Sequence, residues 1–102
     1  MTYGDLDPAL SAWCSSHGLH VIPRDRDCEV RMITVVDDAG STYQLWLELL
    51  PDQGVRVAAW DYGAGRASRE CELPDLGQAL EAVYVQVESW IATAGHTRTP
   101  VV

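Results

Sequence analysis

Apolar and polar residues alternate along this chain with two different periods, and the changes of period divide it into elements. Leu6, Leu10, Trp13, Cys14 and His17 recur every three or four positions, the spacing of one helix face. With Asp7 placed to cap it, Pro8 in the first turn and Gly18 as a stop, the pattern predicts a short helix over residues 6–17. The stretch Leu19-His-Val-Ile-Pro23 is too short to assign, and Arg24-Asp-Arg-Asp27 reads as a solvated loop. From Cys28 the period becomes two. Residues 28–36 alternate, Asp37-Asp-Ala-Gly-Ser41 turns the chain, and residues 42–50 alternate again, with Tyr43, Leu45, Leu47 and Leu49 on one side.

The same period continues through two more segments. Pro51-Asp-Gln-Gly54 suits a type I turn with glycine in the left-handed position, which returns residues 55–62 as a third strand. Gly63-Ala-Gly65 breaks the chain before a charged strand over residues 66–73, whose composition suits a sheet edge. The period then returns to that of a helix: Leu76, Leu80, Val83, Val87, Trp90 and Ala94 form a stripe about five turns long. Pro74 and Asp75 open this helix and Gly95 closes it. Residues 1–5 and 96–102 read as frayed tails of a single domain spanning 1–102.

This order predicts an α+β fold of two layers: an antiparallel meander of three to five strands with a short N-terminal helix and a long C-terminal one. Tyr43, Leu45, Leu47 and Leu49, with Val55, Val57 and Ala59, are expected to face the helices. Trp46, Trp60 and Tyr62, joined by Ile33 and Val35, fall on the opposite side. An aromatic patch on a sheet face that should meet water is a candidate interface, since Trp and Tyr anchor the centres of protein interfaces. The competing reading is that the first helix crosses over and covers this face as a second small core.

Composition narrows the partner. The 102 residues carry fifteen acidic and seven basic side chains, a net charge of −8. This argues against sequence-independent nucleic-acid binding and against docking on anionic lipid, both of which need basic residues. All seven basic residues are arginine, so Schiff-base and P-loop lysine chemistry are excluded. Five carboxylates, Glu70, Glu72, Asp75, Glu81 and Glu88, fall in one stretch with no basic residue. Asp75, Gln78, Glu81, Val85 and Glu88 recur at helical spacing on the side away from the apolar stripe, where they either form an ordinary solvated face or steer a basic protein surface. Three cysteines without a C-x-x-C spacing encode no disulfide framework, and the acidic N-terminus and lack of a long apolar run predict a soluble cytoplasmic chain.

Signs of catalysis are weak. Cys14, His17 and His20 resemble a metal set, but Gly18 should end the helix and turn His20 elsewhere, so no metal or cofactor is expected. Cys14 as a nucleophile is rejected because it lies on the core face of a helix. Gly63-Ala-Gly65 lacks a third glycine and precedes a strand, so it is a turn and not a dinucleotide fingerprint. Asp25, Asp27 and Glu29 alternate as calcium ligands do, but Arg24, Arg26 and Arg31 would oppose the cation. The chain is read as non-enzymatic.

An early helix with a Trp near its end, a Trp-bearing antiparallel meander and a closing Leu-x-x-x-Leu-x-x-Val helix ending in Trp90-Ile91 resemble small acidic bacterial toxin-immunity proteins. The resemblance lies in element order and carries no diagnostic motif. It implies a cytoplasmic inhibitor that occludes a basic toxin domain by direct binding. The residues themselves nominate Trp46, Trp60 and Tyr62 as apolar anchors and Asp75, Glu81 and Glu88 as steering charges, with a homodimer open. Two other binding functions fit the same features: an acidic secretion chaperone holding an effector segment, and a phage-encoded inhibitor of a host defence protein.

Overall fold

In the computed structural model, residues 2–19, 31–60 and 66–98 are described. The elements follow the expected order: helix α1 (Tyr3–His17), strands β1 (Arg31–Val36), β2 (Thr42–Leu49), β3 (Val55–Trp60) and β4 (Arg66–Cys71), a 3-10 turn at Leu73–Asp75, and helix α2 (Leu76–Thr93). The strands form one antiparallel sheet in the order β1-β2-β3-β4, an uninterrupted meander. The fold is α+β, with a Cα radius of gyration of 13.2 Å, close to the ~13 Å of a compact chain of this length. The expected first-strand start at Cys28, the segment around His20 to Asp27, Tyr62 and the Gly63–Gly65 turn lie outside the described residues.

Both helices lie on one face of the sheet. Leu6, Leu10, Trp13 and Cys14 of α1 share a single core with Leu76, Leu80, Val83, Tyr84, Val87 and Ile91 of α2 and with the inner residues of β1, β2 and β3. The first helix therefore does not cross over the sheet, and the covered-face alternative fails for α1. Ile33 and Val35 were expected on the aromatic face, but they pair with Leu45 and Tyr43 and are fully buried beneath the helices. The outward residues of β1 are Met32 and Thr34, opposite Trp46 and Gln44.

The first helix starts earlier than its apolar spacing suggests. Thr2 is the cap: its backbone N–H donates to the Asp5 carboxylate at 2.8 Å, satisfying a group just before the first turn. Tyr3 packs against the core, and its hydroxyl accepts from the Leu49 backbone N–H at 3.0 Å. Residues 2–5 are thus tied to the fold instead of fraying. Asp7 is not the cap; it pairs with Arg31 at 2.9 Å, and Pro8 sits inside the helix. The C-terminal segment is also held as far as it is described. Asp38 donates its N–H to the Thr97 carbonyl at 2.8 Å and pairs with His96 at 3.0 Å, while the backbone of Asp37 lies antiparallel beside that of Arg98.

Two turns fix the register. The Asp37 carboxylate is buried and accepts from the N–H groups of Ala39 and Ser41 and from the Tyr43 hydroxyl, which locks the β1–β2 connection. In the β2–β3 connection the left-handed residue is Gln53 (φ 67°), one position before the expected Gly54. The Leu50 carbonyl accepts from Gln53 and the Leu50 N–H donates to Gly54, so the tight bend closes a residue earlier. On α2 the buried seam runs through Ala79, Tyr84 and Ile91, while Trp90 is half-buried and Ala94 exposed.

Candidate functional site

The candidate residues divide between two sides of the molecule. Trp46 on β2 and Trp60 on β3 point away from the helices, their ring centroids 5.2 Å apart at an interplanar angle of 44°. Their strands place them on a diagonal: Trp46 is opposite Ala58, and Trp60 is opposite Gln44. The small Ala58 leaves room for the rings to meet. Trp60 is 36% exposed, and the Trp46 indole N–H is buried without an acceptor among the described residues. A buried donor left unpaired costs about 1–3 kcal/mol.

Charge on this face comes from residues that sequence spacing did not nominate. Arg56 lies between two carboxylates, Glu48 at 2.6 Å and Glu70 at 2.9 Å, across three adjacent strands. The pairing register puts the three directly in line, Glu48 opposite Arg56 and Arg56 opposite Glu70. The hydrogen bonds that Arg56 donates to Glu70 and to Glu48 raise its pKa further above its ordinary value. Only the alternation of β2, β3 and β4, taken together with the register, brings these residues into line. Arg66 completes the margin, its guanidinium 6.0 Å from the centroid of the Trp60 ring.

Asp75, Glu81 and Glu88 sit in the opposite layer, on or at the start of α2, so they do not share a surface with the two tryptophans. Asp75 lines a groove of about 380 Å³ between β4 and α2, with Arg69, Cys71, Gln78 and Ala82. Glu88 borders a second cavity, of about 250 Å³, with Ile91, His96 and Arg98. Glu81 is not a free steering charge: one oxygen accepts from the Trp13 indole N–H at 3.2 Å and also meets His17 Nε2. The Trp13 and His17 rings stack at 4.3 Å, and both meet Tyr84 edge-on at 5.4 and 5.1 Å. Together these groups clasp α1 to α2.

The clasp has the outline of a serine-histidine-carboxylate relay, because Ser16 Oγ lies 2.9 Å from His17 Nδ1. Its chemistry points elsewhere. The Ser16 hydroxyl donates to the Trp13 carbonyl at 2.8 Å, and His17 Nδ1 faces the same carbonyl at 3.0 Å, which places that nitrogen as a donor. The site also lies at the C-terminal end of α1, where unpaired carbonyls make the field negative. An oxyanion needs converging N–H donors. Burial pushes the Cys14 thiol up to about 11, so it stays protonated near neutral pH and is a poor nucleophile. The Cys71 thiol is raised as well, first by burial and then by Asp75.

Among the described residues no group of three potential metal ligands comes together, and no helix is long and apolar enough to cross a membrane. His20, the third member of the Cys14-His17-His20 set, lies outside the described residues. Comparison of the chain with protein-family models, with curated proteins and with solved structures finds no match in any of the three.

Proposed function

We propose that this chain is a non-enzymatic protein-binding module, an inhibitor of the immunity type that neutralises a basic toxin domain by direct, stoichiometric binding. The observation that carries the reading is the Trp46–Trp60 pair on the sheet face that neither helix covers. An aromatic pair at the centre of a sheet, ringed by the Glu48-Arg56-Glu70 line, has the make-up of an interface centre with a polar rim. The net charge of −8 adds long-range attraction for a basic partner. In this reading Trp46 and Trp60 are contact residues, Asp75 and Glu88 contribute to the field without touching the partner, and Glu81 serves the fold.

The test has two stages. The purified chain is used to capture its partner from the source cell, and the identified partner is then expressed alone and together with the chain in a bacterial host. The expected result is growth arrest by the partner alone, relief on co-expression, and a one-to-one complex. Replacing both Trp46 and Trp60 with Ala should weaken the complex by a few kcal/mol and abolish relief while the circular dichroism spectrum stays unchanged. A partner without toxicity, as a chaperone's effector segment would be, or full affinity in the double variant, overturns the reading.

A further inference from the structure

A second interaction surface is written into the edge of the sheet. β4 pairs with β3 on one side, and no described strand pairs with its other side. The opposite edge is partly closed, because the chain at Thr97 and Arg98 bonds to Asp38 and Asp37 just beyond β1. Among the described residues β4 is thus a free edge, and free edges invite pairing with another strand. Charges usually guard such edges, but those of β4 are of mixed sign and placed in a particular order: Arg66-Ala67-Ser68-Arg69-Glu70-Cys71.

We infer that β4 is a self-pairing edge, joining two copies of the chain antiparallel about a two-fold axis at Ser68 to give a continuous eight-stranded sheet. In that register Arg66 of one copy lies opposite Glu70 of the other, twice by symmetry, Ser68 meets Ser68, and Arg69 lies opposite the small Ala67. Facing residues in an antiparallel pair point to the same side, so a continuous sheet requires the paired numbers to sum to an even value. A centre at Arg69 would oppose two like charges, and a centre at Ala67 would put Arg66 against Ser68. Among the residues of β4 itself, only the Ser68 centre sets opposite charges against each other.

The local charge balance supports that register. Arg56 is shared by Glu48 and Glu70, which leaves one negative charge uncompensated at this edge. The Glu70 side chain is 61% exposed and able to accept a second partner. Arg66 contacts the Trp60 ring but forms no ion pair among the described residues. Within one chain Arg66 and Glu70 are four strand positions apart, about 13 Å, too far to pair. The two-fold brings each to the other's counterpart and neutralises both. The self-pairing leaves the Trp46–Trp60 face open and doubles it across the junction, so it stands apart from the inhibitor reading.

An edge of six residues buries a small interface, so the dimer is concentration-dependent. Sedimentation equilibrium of the full chain, from the micromolar to the millimolar range, should give a mass rising from 11.2 kDa to twice that value. Arg66→Glu or Glu70→Arg alone should raise the dissociation constant at least about tenfold, since each change turns two facing attractions into repulsions. The charge-swapped R66E/E70R chain should restore the wild-type constant. A monomer at millimolar concentration, single variants that associate like the wild type, or a swap that fails to rescue association in a folded chain would each overturn the proposal.

Discussion

The two faces of the sheet are built from the same strands, residue by residue in alternation, yet they meet different fates. On the inner face Ile33, Val35, Leu45, Leu47, Val55 and Val57 are completely buried under α1 and α2. On the outer face the corresponding positions are Thr34, Gln44, Trp46, Glu48, Arg56 and Ala58, none of them fully buried. The inner face is aliphatic and closed. The outer face is aromatic, charged and left open by both helices. The difference shows where most of the stability is stored: folding free energy comes from apolar area removed from water, and the half-buried outer residues contribute less of it.

The comparison can be broken most forcefully at its inner side. Leu45 is fully buried on β2 between the core residues of both neighbouring strands. Leu45→Ala should cost about 2–5 kcal/mol in urea unfolding, the range for a large core side chain removed with a cavity left behind. A loss below about 1 kcal/mol would mean that the inner face is not the continuous core described here.

The second effect is chemical and also belongs to the closed side. Burial raises the Cys14 thiol from 9.0 to about 11, so between those values the folded chain keeps a proton that the unfolded chain releases. The stabilising contribution is therefore whole below pH 9 and lost as pH rises through the folded value. Relative to Cys14→Ala, the wild type should lose on the order of 2 kcal/mol between pH 9 and 11. Tyr84, also raised chiefly by burial, titrates in both proteins and cancels in the difference. Parallel stability curves for the two proteins would place Cys14 in contact with water.

How much of this was legible in the sequence follows from the same contrast. β2 was readable because its two faces differ in composition, and Leu45, Trp46, Leu47 and Glu48 declare their sides by alternation alone. The side of β1 is not legible, because Ile33, Val35 and Val36 are apolar on both parities and nothing local selects between the faces. The choice is made by pairing with β2 through a turn that the buried Asp37 carboxylate holds, and a buried acid carries no sequence mark. The α2 seam follows the apolar spacing through Val87 and then passes to Ile91 instead of Trp90, as a period of 3.6 departs from one of 3.5 over five turns. The site was the least legible part. Glu81 meets Trp13 across 68 positions, and the Glu48-Arg56-Glu70 line exists only once three strands are in register.

That clasp supplies a third, smaller test of the closed side. Glu81 holds α1 to α2 through Trp13 and His17 at a half-exposed position. Glu81→Ala should cost about 1 kcal/mol and increase hydrogen exchange in the last turn of α1 more than in the strands. If the variant instead leaves stability unchanged and slows association with a basic partner as much as a change at Glu88 does, Glu81 belongs with the steering charges after all.

The smallest expected effect on stability is the sharpest for the comparison, because it comes from the largest side chain. Trp60→Ala removes an indole that would cost about 3–5 kcal/mol in a core. On the outer face the ring touches Trp46 and Arg66 and is 36% exposed. The change should therefore stay within about 1 kcal/mol, the worth of an aromatic pair at a surface. Denaturation of Trp60→Ala beside Leu45→Ala measures the asymmetry of the sheet directly: the smaller side chain should matter several times more. A reversal of that order would mean that Trp60 lies in a second core, and the outer face could then no longer be the surface that meets a partner.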